Sequence, residues 1–393
     1  MLKNIKLNEV VQYSSFKLET GCEEYFLTLN PVGKTHAESC LDSLFENLSL
    51  FLKDAGLTEK ELVFSRVYFS DVSNQIEFFK KSELLKRLQE GAVSCIQQES
   101  LQKNPLSLFC YFIKSNSVKT SCFKIKSSEC DISSSTSLKN YKLLWLTGLI
   151  GKEDKSLSSA KQTMEIFKDL KELNLKNGMA LVNHVIRTWI FVRDLDNHYK
   201  GMTDARKNFF EKEGIGEGNY FPASTGIEGA VENHQNLVMV ESLSIEGLLP
   251  EQIVKMQGLK NLSPTMDYHV TFERGLEIVF GDRSHFHISG TASINHLGEV
   301  LHLGNPELQT QRTLDNMEVL LKEKEASLKD MAYLIIYLRD ACSKDVVLAV
   351  LKERFSHLPP FIITKAPVCR PGWLVEIEGV GIKAKKSSYP VFG

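Results

Sequence analysis

The chain has 393 residues, 42% of them apolar and 24% charged, with 47 basic and 49 acidic side chains. That length exceeds one ordinary core and calls for two or three domains. The net charge of −2 removes any overall electrostatic case for nucleic acid or an anionic membrane as partner, although local arginines can still hold a small anion. No run of 18 apolar residues occurs, and the first residues carry no apolar signal-peptide core. The eight cysteines are scattered without a CxxC pair, so reduced thiols and a cytoplasmic location are expected.

In chain order, residues 1–130 read as β-α-β-α-β: a strand at Glu24–Leu29, a helix over His36–Ala55, a strand Leu62–Asp71, a helix Ser73–Leu88 and a strand Leu106–Ile113. Residues 131–250 repeat the order, with strands Leu143–Ile150, Val182–Asp194 and Asn236–Ser244 and helices Ser156–Leu175 and Tyr199–Gly214. The turn-rich Asn219–Gly229 is the least periodic part of this unit. Residues 251–393 repeat it again, with strands Phe286–Ser293, Met331–Asp340 and Gly372–Ile382 and helices Gln309–Lys324 and Asp345–Phe355. The serine-rich Lys126–Lys139 reads as a linker. Glu246–Ser284, with strand character at Tyr268–Phe272 and Leu276–Phe280, reads as a linker plus an opening hairpin. Each central strand ends in an aspartate after an apolar run, at Asp71, Asp194 and Asp340. Three agreeing readings make a repeat.

Chemistry concentrates near the end of the chain, in Cys369-Arg370-Pro371-Gly372-Trp373-Leu374-Val375-Glu376-Ile377-Glu378-Gly379. Residues two apart on a strand share a face, so Glu376 and Glu378 point the same way. A turn at Pro371-Gly372 holds Cys369 and Arg370 near the strand's mouth. Either these groups form a site or the acids face water from an edge strand. Arg187 lies in an otherwise apolar strand and Arg206 on the helix that would cover it. Each either grips a carboxylate through its planar fork or pairs with Asp194 or Asp204. Arg193 and Arg339 precede matching aspartates and read as structural ion pairs. Tyr220, Thr225 and Gly226 lie in the turn-rich segment, as pocket-lining groups or as an ordered loop. Gly290 permits close backbone approach in a strand, with Thr291 and Ala292 beside it. The histidines 184, 285, 287, 296 and 302 lack a supporting carboxylate pattern, and neither a metal nor an organic cofactor is implied.

Ile288-Ser289-Gly290-Thr291-Ala292, Tyr337-Leu338-Arg339-Asp340 and Leu374–Gly379 resemble the Rid (YjgF) family. That resemblance implies an α+β fold of three tandem Rid-like β-α-β-α-β units, a covalent pseudo-trimer acting as a monomer, with pockets between units. The family's catalytic glutamate falls on Glu376. The matching positions are Met239 in the second unit and the region of Phe109-Cys110 in the first, so one copy alone keeps the acid. The family's substrate-gripping arginine is missing from Leu358-Pro359-Pro360-Phe361-Ile362.

Arg187-Thr188-Trp189, Asp204-Ala205-Arg206, Phe221–Ile227, Ser289–Ser293 and Cys369–Glu376 together look like the chorismatase family, which is built from Rid-like units and removes pyruvate from chorismate. The resemblance implies Glu376 and Cys369 as catalytic residues. It implies Arg187, Arg206, Tyr220, Thr225, Gly226, Gly290, Thr291 and Ala292 around a chorismate-like dicarboxylate, between the second and third units. A cysteine seven residues before the glutamate resembles the branch that forms 3-hydroxybenzoate; another branch forms a cyclohexadiene diol. The alternatives are a Rid-type enamine or imine hydrolase and a non-catalytic module that binds a small carboxylate.

Overall fold

The computed structural model describes residues 1–19, 21–125, 130–151, 158–216, 218–265 and 270–393. The first unit contains β1 (Leu2–Lys6), β2 (Val11–Lys17), β3 (Glu23–Leu29), α1 (Ala37–Ala55), β4 (Leu62–Phe69), α2 (Val72–Lys81), α3 (Glu83–Leu88), β5 (Ala92–Gln97), a short β6 (Glu99–Ser100) and β7 (Leu106–Lys114). The second contains β8 (Lys119–Phe123), β9 (Ser133–Ser137), β10 (Lys142–Ile150), α4 (Ser159–Lys176), α5 (Leu181–His184), β11 (Val185–Val192), α6 (Leu195–Lys212), β12 (Ala223–Glu228) and β13 (Val238–Glu246). The third contains β14 (Ile253–Met256), β15 (Gly275–Val279), β16 (Arg283–Ala292), α7 (Pro306–Lys322), β17 (Met331–Leu338), α8 (Lys344–Arg354), β18 (Phe361–Lys365) and β19 (Val375–Ala384).

The three sheets have one strand order: β1-β2-β3-β7-β4-β5, β8-β9-β10-β13-β11-β12 and β14-β15-β16-β19-β17-β18, the last extended by β6 from the first unit. In each, the central strand runs antiparallel to the closing strand and parallel to an edge strand. The fold is thus α+β with three Rid-like units, each carrying a hairpin and a parallel edge strand beyond the expected β-α-β-α-β.

Where the elements differ from expectation, the causes are local. The helix expected over Ser73–Leu88 breaks at Ser82, whose hydroxyl accepts from Leu85 N at 3.2 Å and caps α3. Residues 181–184 form a helical turn, so the strand after it starts at Val185. The segment expected to be an irregular insertion carries β12. The serine-rich stretch reads as linker by composition, yet it forms β9. Its Ser133, Ser134 and Thr136 are buried, and the Ser134 hydroxyl donates to Val63 O at 3.1 Å. Strand β8, ahead of the expected boundary near residue 130, pairs with β9. Part of the expected linker and of the Tyr268–Phe272 strand lies outside the described residues.

Each sheet packs one face on its own helices and turns the other toward its neighbours, where aromatic side chains stack. Phe64 lies 4.2 Å from Trp145 between ring centroids and Trp145 5.6 Å from Trp189, both nearly parallel. Each such buried side chain contributes roughly 1.5–3 kcal/mol.

A buried ion pair seals each of the three unit boundaries. Arg66 of the first unit pairs with Glu241 of the second at 2.5 Å, Arg187 of the second with Glu378 of the third at 2.5 Å, and Arg283 of the third with Glu24 of the first at 2.6 Å. Each arginine also lies over aromatic rings within 5.3 Å. Among the described residues no helix is long and apolar enough to cross a membrane.

Candidate active site

Strand β19 lies between β16 and β17, so its side chains are held from both sides. Glu376 sits opposite Ala292 on one neighbour and Tyr337 on the other. A bulge at Ser289-Gly290 interrupts the β16 ladder here, and a Cβ on Gly290 would overlap the Glu376 carboxyl. The glycine therefore makes room for the acid, which is 5% exposed. Burial pushes its pKa up, the neighbouring Glu378 charge pushes it further, and Arg187 pulls it back, leaving it raised to about 8.

Glu378, on the same face, is fully engaged. Arg187 Nη2 donates to Oε2 at 2.5 Å, Trp189 Nε1 to Oε1 at 2.9 Å and the Tyr337 hydroxyl to Oε1 at 2.9 Å, with the Thr225 hydroxyl also bonded to Oε2. Thr225 in turn accepts from Gly290 N at 2.9 Å. Arg187 is thus spent on Glu378, not on Asp194 or Asp204, and lies beneath the cavity rather than on its wall. Arg339 pairs across units with Asp196 at 2.9 Å instead of with Asp340, and Arg193 donates to the carbonyls of Val231 and Asn236.

Above Glu376 is a cavity of about 210 Å³ between the second and third units, bordered by Arg206, Lys207, Arg274 and Arg370. Arg206 is 3% exposed; it donates to Thr271 Oγ1 at 2.9 Å and Ser224 Oγ at 3.5 Å and has no carboxylate partner among the described residues. Burial lowers its pKa, because a guanidinium taken out of water without a carboxylate beside it loses solvation.

A second donor appears on comparing the units. Edge strand β5 points the N–H groups of Val93, Cys95 and Gln97 outward, and they are met by Ile132 O, Asp131 Oδ1 and Ala230 O. Its counterpart β12 points Ser224, Gly226 and Glu228 outward. Ser224 N meets Ser289 Oγ and Glu228 N meets Pro367 O, while Gly226 N faces the cavity with no protein partner among the described residues. Where the first boundary has Asp131 pressed on Gly148, the second has the Glu376 carboxyl against Gly290, with the cavity above it. The acid's counterparts, by ladder position, are Met239 opposite Phe191 and Ser107 opposite Tyr68, so the unit-one position is Ser107 and not Phe109-Cys110.

Of the expected residues, Arg206, Gly226, Gly290, Ala292, Cys369 and Glu376 meet around this cavity. Thr225 and Arg187 lie one layer behind. The Thr291 hydroxyl is turned to Ser289 O at 2.9 Å. Tyr220 borders a different hollow, with His184 and Lys255. Cys369 is a neutral thiol, its pKa pushed up to about 12 by burial and then by Glu376, with Tyr199 beside it on the cavity wall. Sequence reasoning missed Tyr199 and Trp373. Tyr199, Thr203 and Arg206 lie four and three apart, one helix face, which was a readable signal. Among the described residues no group of three or more His, Cys, Asp or Glu could hold a metal ion.

Residues 279–383 match the family model described as Endoribonuclease L-PSP. Over 133 residues the chain is 25% identical to the 3-aminoacrylate deaminase RutC of Acinetobacter baylyi, covering 34% of this chain and 98% of that protein. The fold superposes on a crystal structure of a chorismatase with a TM-score of 0.60 at 16% identity, covering 82% of this chain and 93% of that one. The L-PSP match thus falls on the third of the three units. More particularly, the chain's fold is that of a chorismatase.

Proposed function

We propose that the chain is a chorismatase-type enzyme that releases pyruvate from chorismate, with Glu376 as the acid, and that it works as a monomer because one chain supplies all three units. The observation that carries this is a buried glutamic acid, protonated near neutral pH, on the floor of a cavity walled by cations. Chorismate offers two carboxylates and an enol ether on an apolar ring. Arg206 and Gly226 N–H suit one carboxylate; Arg274 and Arg370 border the space for the other.

Glu376 delivers its proton to the enol methylene carbon. The double bond supplies the electron pair, and positive charge develops on the ether carbon beside the newly ionised carboxylate. Addition of water at that carbon and collapse of the hemiketal gives pyruvate and the diol. If instead the ring loses its C4 hydroxyl as water together with the C3 hydrogen, the ether oxygen stays on C3 and hydrolysis at the protonated enolpyruvyl carbon gives 3-hydroxybenzoate and pyruvate, the water lost offsetting the water consumed. We favour 3-hydroxybenzoate, since Cys369 stands against the ring space. As a neutral thiol it acts by shape and polarity, not as a nucleophile.

The test is incubation with chorismate, following pyruvate and identifying the ring product. Glu376→Gln is expected to abolish turnover and leave ligand affinity within about twofold, the proton being needed only in the transition state. Unchanged turnover in that variant would refute the assignment. Absence of pyruvate from the native protein would point to imine hydrolysis of the Rid type or to a binding module.

A further inference from the structure

Building on that reading of Glu376, we propose that Glu378 is a positioning residue for the acid: caged as a carboxylate, it holds its neighbour two residues away in the protonated form, so that the ion pair joining the second and third units also sets the acid's working range.

The geometry carries this in three steps. Glu378 is 1% exposed and receives four donors, Arg187, Thr225, Trp189 and Tyr337, from three different strands. All four direct a donor at its two oxygens, so it serves as an acceptor throughout. Next, Glu376 lies on the same face of β19, buried where Gly290 leaves room for its carboxyl, so the two acids share one low-dielectric interior and do not both ionise readily. Finally, the cage repeats where no acid follows. Glu241, the ladder counterpart of Glu378, is bonded by Arg66 and by the Ser94 hydroxyl, yet the position two residues before it is Met239. The cage is therefore a frame for joining units, and at one boundary alone a titrating acid has been set beside it.

The groups facing Glu376 from the surrounding elements are Glu378 on its own strand, Arg187 from β11, Tyr199, Asp204, Arg206 and Lys207 from α6, Cys369 and Arg370 ahead of β19, and Arg274 ahead of β15. Burial raises the Glu376 pKa most; Glu378 is the charge that raises it further and Arg187 the one that lowers it.

The experiment is a carbon-detected NMR titration of glutamate-labelled protein, the Glu376 signal being identified by its loss in Glu376→Gln. Pyruvate release is followed over the same pH range. Glu378→Gln is expected to lower the Glu376 midpoint by about one unit or more, and the high-pH limb of kcat should move down by the same amount while KM changes little. Glu378→Asp keeps the charge and is expected to restore the midpoint. Because Glu378→Gln leaves Arg187 buried without its partner, the neutral pair Arg187→Met with Glu378→Gln is the companion variant, with a smaller downward shift expected. An unmoved midpoint in folded Glu378→Gln or in the neutral pair overturns the inference. A shifted midpoint in a protein that never releases pyruvate sinks the chorismatase reading and leaves this one standing.

Discussion

At the residue scale, a buried acid exacts a cost from the fold. The pKa of Glu376 is 4.5 in an unfolded chain and about 8 when folded, so between those values the native state binds the extra proton. Stability then falls as pH rises from about 5 to 8, by up to a few kcal/mol. Glu376→Gln cannot ionise, and its melting temperature is expected to exceed that of the native protein at pH 8 while matching it within a degree or two near pH 5; calorimetry at the two pH values checks this. Glu376 itself was legible in the sequence because one acid stood out against Met239. What Arg187 does was not. A lone arginine in an apolar strand announces a partner but not its address, and Glu378 is 191 residues away. Tyr220 misled in the same manner: a tyrosine next to the right strand borders the wrong hollow.

At the scale of elements, the edge strand β12 decides what the cavity can hold. Its outward N–H groups alternate, and the one at Gly226 is left for a ligand. Gly226→Pro removes that donor without touching the β11 ladder, which uses the opposite parity, and proline is tolerated at such outward positions of an edge strand. Substrate affinity is expected to fall roughly tenfold to a hundredfold, the worth of a hydrogen bond to a charged group, with secondary structure by circular dichroism unchanged. A loss of less than twofold would place the substrate carboxylate elsewhere. The regular strands and helices were readable from apolar periodicity, most within three residues of their ends. The opening hairpin strands and parallel edge strands were not; β12 and β9 show one cause, because a strand rich in Ala, Ser, Thr and Gly, or in serine and threonine, has the composition of a loop. Such strands are specified by the neighbour that pairs with them, and single-chain patterning carries no record of the neighbour.

At the scale of the whole molecule, three buried Arg–Glu pairs bind the units in a ring. Removing one member strands the other in the interior at about 3–5 kcal/mol. Arg66→Met is expected to lose that much in denaturant unfolding, and Arg66→Met with Glu241→Gln to regain most of it. Equal losses in the single and double variants would show that Arg66 acts through its ring contacts and not its charge. The threefold plan was visible in the sequence from repeating element order alone, since local periodicity survives when residues diverge. The cyclic order of the ion pairs was not, because each joins residues from different repeats.

The carboxylate of Asp131, seated against Gly148 where the neighbouring boundary stays open, has a consequence for inheritance. A trimer made of one small polypeptide must repeat every substitution at all three boundaries, so its pockets rise and fall together. Three copies fused in one reading frame are free of that constraint. One boundary can be plugged by its own chain, another covered by a two-residue strand, and the third left to drift toward a new ligand without harming the other two. On the proposed function, such a protein offers one substrate site per polypeptide where a trimer of identical chains offers three.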